Sequence, residues 1–129
     1  MTEQTREWVK YAEADYIAVE RLFVNGSHPP YGIICFHCQQ CIEKYIKAYL
    51  TEHDIEFPRT HWLTSLLDHV IPLKPEWDIH RNPLTILTNF AAETRYPGEG
   101  MPMSRKITQN AIEITQEIRT IIRTELNIK

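Results

Sequence analysis

Apolar positions recur along this chain at intervals of three and four residues, the spacing of one helix face, and no stretch reads as a strand. The last segment shows it most clearly. Ile107, Ala111, Ile114, Ile118, Ile121 and Ile122 follow the i, i+4, i+7, i+11, i+14, i+15 pattern, behind Ser104 as a plausible N-cap. A first helix is expected from about Glu3 to Val24, with Trp8, Tyr11, Ala12, Ala18, Val19 and Leu22 on one face and Asn25-Gly26 as its stop. A second begins after Pro29-Pro30 and ends near Thr51–Asp54. A third follows Thr60, its expected N-cap, with Trp62, Leu63, Leu66, Leu67 and Val70 apolar and Pro72 and Pro75 beyond. A shorter fourth covers Pro83 to Thr94, with Leu84, Leu87, Phe90 and Ala91 inward. The fold class this predicts is all-α, an up-and-down bundle of about five helices in a single domain over residues 1–129.

The second helix carries the most information. Ile34, Cys38, Cys41, Ile42, Tyr45 and Tyr49 form an apolar stripe at about 100° per residue. His37, Gln40, Lys44 and Lys47 form a polar, basic stripe beside it, readable as a solvated flank or as a chemically useful edge. Phe36, Ile46 and Leu50 project away from the cysteines and fit either a subunit interface or a second core face. Asp15 falls within the apolar face of the first helix. A carboxylate there either reaches water at the helix edge or forms an ion pair that positions a basic residue.

Charge and composition narrow the picture. Hydrophobic residues make up 43% and charged residues 24%, ordinary for one globular core. A net charge of −3 argues against a long nucleic-acid track but leaves room for a small basic site. No apolar run reaches the roughly 20 residues of a membrane span, and the N-terminus has no signal-peptide hydrophobic region, so a cytoplasmic address is expected. The three cysteines, Cys35, Cys38 and Cys41, are odd in number and lie within one helix. Their CxxCxxC spacing invites a metal reading. With no second ligand cluster in view, packing of small buried thiols is favoured, and no metal or cofactor is assigned.

Phe36 to Ala48 resembles the most specific motif of the HEPN domain family, a hydrophobic–H–x–Q–Q–x–x–E–K–x–x–K–A helix. Trp8 with Ala14-Asp15 and Ala18 resembles the family's first helix. Thr60-His61 with Leu63, Leu66 and Leu67 resembles its T-H-x-L-x-x-L-L segment, and Arg95-Tyr96-Pro97 its R-Y-P loop. The resemblance implies an all-α bundle that often forms homodimers and works near nucleotides or RNA. It also implies a minimal nucleotidyltransferase partner, as in toxin–antitoxin-like pairs. Some relatives cleave RNA without metal through an R-x(4–6)-H motif near the last long helix. Here no histidine follows Arg95, and only Arg21 and His28 have such a spacing, at the wrong place. That departure tells against RNA cleavage and leaves catalytic residues unassigned. Three readings follow. In the first, Arg95, Lys44, Lys47 and His37 bind a nucleotide or RNA phosphate and Tyr96 stacks on a base. In the second, the chain is a dimeric interaction subunit without ligand chemistry. In the third, it is a ribonuclease with a displaced active site.

Overall fold

The fold is taken from a computed structural model that describes residues 1–24, 28–93 and 104–129. Among these are five α-helices and no strand: α1 (Glu3–Leu22), α2 (Tyr31–Glu52), α3 (Leu63–Val70), α4 (Arg81–Glu93) and α5 (Arg105–Glu125). A short 3-10 segment, Pro75–His80, leads into α4. The expected stop at Asn25-Gly26 and the inward places expected for Phe90 and Ala91 lie outside the described residues.

Local chemistry accounts for the helix ends. Thr2 caps α1 by accepting the Thr5 N–H at 3.1 Å, and Glu3 sits in the first turn, where a carboxylate complements the helix dipole. Ser104 caps α5, its Oγ accepting from the Ile107 N–H at 3.2 Å. α2 closes with the Ile55 N–H on the Leu50 carbonyl at 2.9 Å and Asp54 at φ 56°. That is a Schellman ending with an aspartate in the left-handed position glycine usually takes. Thr60 does not cap α3. Its hydroxyl accepts the Trp62 N–H only two residues on, and the helix begins at Leu63. α4 starts at Arg81, two residues before its expected beginning; Pro83 sits in the first turn, where a missing N–H breaks no helical bond.

α2 is the axle of the bundle. α1, α3, α4 and α5 all pack against it, and every residue from Tyr45 to Leu50 is buried. Of the two readings of Phe36, Ile46 and Leu50, the second core face therefore holds for Ile46 and Leu50. Ile46 and Leu50 are core residues, and Phe36 alone of the three reaches the surface. A helix surrounded on most sides has no second free face.

The cysteines sit where α2 meets α5. All three are fully buried free thiols. Across from them α5 offers small residues: Ala111, Thr108 and Thr115, the threonines donating to the Ser104 and Ala111 carbonyls. Cys35 Sγ approaches Thr108 Oγ1 at 3.8 Å. Small against small lets the two helices approach closely. Burial pushes the Cys38 thiol up to about 12 and raises Cys35 and Cys41 as well. Thiols held protonated in this way are neither nucleophiles nor ready metal ligands at neutral pH.

Candidate functional site

Asp15 organises the polar face between α1 and α2. It lies on the α1 face that packs against α2 and is buried. A carboxylate there requires partners, and α2 supplies two. Lys44 Nζ stands 2.6 Å from Asp15 Oδ2, and His37 Nδ1 stands 2.8 Å from Oδ1. His37 and Lys44 are seven apart, about 20° short of two full helical turns, so both reach the same neighbour. Each remains about a quarter exposed. The carboxylate thus fixes two basic side chains at the surface, and among the described residues two further N–H groups on Lys44 and the second ring nitrogen of His37 have no partner.

The other polar positions of α2 turn elsewhere. Glu43 is buried and binds Lys47 Nζ at 3.0 Å and His61 Nδ1 at 3.0 Å. Gln39 donates to the His61 carbonyl at 2.7 Å and more weakly to Glu43 at 3.4 Å. Gln40 donates to Gln39 at 3.1 Å. Gln39, Glu43 and Lys47 are each four residues apart, one ladder along the helix, and it holds the segment that leads into α3. Lys47 is buried, with its ammonium 5.4 Å from the centre of the Trp8 ring. It is therefore separated from the His37–Lys44 pair and committed to Glu43.

A third cluster ties α1 to α5. Arg119 grips Glu13 with two hydrogen bonds of 2.7 and 2.6 Å, the planar fork matching the carboxylate. Tyr45 donates to the same carboxylate, and Arg123 donates to the Tyr45 oxygen at 3.2 Å. Burial pushes the Glu13 carboxyl up, but the hydrogen bonds from Arg119 and Tyr45 and the charges of Arg119 and Arg123 outweigh it. The net result is a carboxyl held below its ordinary range.

Of the residues singled out in the sequence, Asp15, His37 and Lys44 come together, and Lys47 belongs to the neighbouring ladder. Arg95 and Tyr96 lie outside the described residues. His37 and Lys44 already use both oxygens of the Asp15 carboxylate. Sequence reasoning missed the buried roles of Gln39 and Glu43. The signal was their spacing of four to each other and to Lys47. Among the described residues no group of three His, Cys, Asp or Glu side chains is placed to hold a metal ion.

The motif-bearing central helix divides its polar positions between α1 and the segment before α3. The family model for the HEPN domain matches residues 5–125, and the chain belongs to that family. It is also similar to a solved crystal structure of an archaeal HEPN homologue, with 27% identity, a TM-score of 0.73, and coverage of 97% of this chain and 98% of that one. Comparison with curated proteins gives no match. No helix among the described residues is long and apolar enough to cross a membrane.

Proposed function

We propose that this HEPN protein recognises the phosphate of a nucleotide or RNA around His37 and Lys44, and acts as a cytoplasmic homodimer with a minimal nucleotidyltransferase partner. The observation that carries the reading is the seating of both side chains on one carboxylate, Asp15, at 2.8 and 2.6 Å. A cation held in place by a buried partner loses less freedom on binding than a free one, so its remaining donors are preorganised for an anion. Arg95, two positions after Glu93 in the sequence, would add a bidentate donor, and Tyr96 a stacking surface. Lys47 is assigned no contact with phosphate, because Glu43 already holds it. The nucleotidyltransferase, the homodimer and a place in a toxin–antitoxin-like pair rest on what is common among HEPN relatives. RNA cleavage is the weakest reading, since no histidine follows Arg95.

A screen of the purified chain against ATP, GTP, their diphosphates and a short RNA tests the reading, with RNA integrity followed in the same tubes. A ligand that binds only the folded state raises its melting temperature by mass action. A saturable rise with intact RNA is expected. No rise with any ligand overturns phosphate recognition. It would leave the interaction-subunit reading, which Ile33 and Phe36 favour as exposed apolar side chains on the same helix.

A further inference from the structure

An opening lined by Trp8 includes neither His37 nor Lys44. It is a cleft of about 600 Å³ between the N-terminal half of α1 and the chain leaving α2. That volume is within the range of sites for small organic ligands, about 300–1,000 Å³. Its walls include Trp8, Tyr11 and Phe57, and its rim the carboxylates of Glu7, Asp54 and Glu56. Trp8 and Phe57 stand edge to face, 6.5 Å between centroids at 61°, which fixes the two rings against each other. Tyr11 is half exposed.

We infer that this cleft binds an organic cation, an alkylammonium or guanidinium group on a carbon stem. Two independent features point the same way. Aromatic faces attract cations through the ring quadrupole, and Trp8 already does so with Lys47 at 5.4 Å. The carboxylates of Glu7, Asp54 and Glu56 form no ion pair among the described residues, although the cleft gathers them at one opening. Lys47 does not neutralise them, because its charge is spent on Glu43 at 3.0 Å. An anion is repelled from such a rim, so the phosphate sought at His37 and Lys44 does not belong here, and the two sites are independent. A purely apolar ligand would leave the carboxylates unused. A cation with a hydrocarbon stem uses both the rings and the rim. The group can arrive as a free polyamine or as the side chain of a basic residue on another protein. The recognition chemistry is the same.

The test follows the indole N–H signals of Trp8, Trp62 and Trp77 by nitrogen-resolved NMR during titration with spermidine, and separately with N-acetyl-arginine amide. Trp8→Phe assigns the reporting signal. Trp62, exposed elsewhere, and Trp77, buried elsewhere, are internal controls. A saturable shift of the Trp8 signal at millimolar or lower concentration is expected. Which probe gives it distinguishes a polyamine from a basic side chain. The double variant Glu7→Gln, Glu56→Gln keeps shape and removes charge at two exposed positions, and should weaken binding roughly tenfold. Failure of both probes to move Trp8 overturns the inference. So does a shift shared equally by all three indoles, or one that the double variant leaves unchanged.

Discussion

The Lys44 ammonium lies 2.6 Å from the Asp15 carboxylate, joining two helices through residues 29 apart in sequence. Asp15 also holds His37, so one acidic side chain on α1 sets the position of two basic ones on α2. Asp15→Ala would leave both without their partner at a half-buried interface. The expected cost is about 1–3 kcal/mol in urea denaturation. Asp15→Asn keeps hydrogen-bonding capacity and should cost less. An unchanged midpoint for Asp15→Ala would show that the pair does not support the α1–α2 contact.

Glu13 gives the fold a dependence on acid. Its folded carboxyl lies below its ordinary value of 4.5. A depressed carboxyl contributes stability that is fully present above the unfolded value and is lost as pH falls through it toward the folded one. Melting temperature should therefore drop as pH falls below about 4.5, the ordinary value. Glu13→Gln should lower stability at neutral pH by about 1–2 kcal/mol and make the acid decline shallower. A variant whose pH profile parallels the parent would remove Glu13 from this role.

Leu50 separates core from interface. Its side chain is 0% exposed. Leu50→Ala should cost about 2–5 kcal/mol by leaving a cavity. Phe36→Ala, at the surface, should stay within about 0.5 kcal/mol. Full stability of Leu50→Ala in thermal unfolding would contradict its burial.

The α2 ending holds a small reserve of stability. Asp54 takes φ 56°, which glycine adopts without a Cβ penalty. Asp54→Gly should raise stability by about 0.5 kcal/mol, read as a small rise in melting temperature. A fall would mean that the aspartate side chain makes up for its backbone.

The periodicity of α5, its Ser104 cap and the cysteine packing were legible in the sequence, because each depends on spacing within a single helix. Asp15 was open between a water-facing helix edge and an ion pair, and only the fold brings it to Lys44 and His37. Lys44 and His37 are equally consistent with a solvated flank until α1 is set against them. Glu13 and Arg119, 106 positions apart, meet only through the tertiary fold. Ile46 and Leu50 were open between an interface and a second core face for a related reason, and the core face holds. A one-dimensional face pattern assumes one covered side, and α2 is covered on most of its circumference. Gln39 and Glu43 were passed over because buried polar groups look like surface residues in sequence, and only the His61 contacts mark them as interior.

The most direct measurement is isothermal titration calorimetry of ATP and a short RNA into the parent chain and into Lys44→Gln. Glutamine keeps a donor for Asp15, so folding should be preserved, and the melting temperature checks this. Expected is saturable binding by the parent with at least one ligand, weakened about tenfold or more without the Lys44 charge. Equal affinity in the two proteins, or no heat in the parent, would contradict phosphate recognition at the Asp15–His37–Lys44 face.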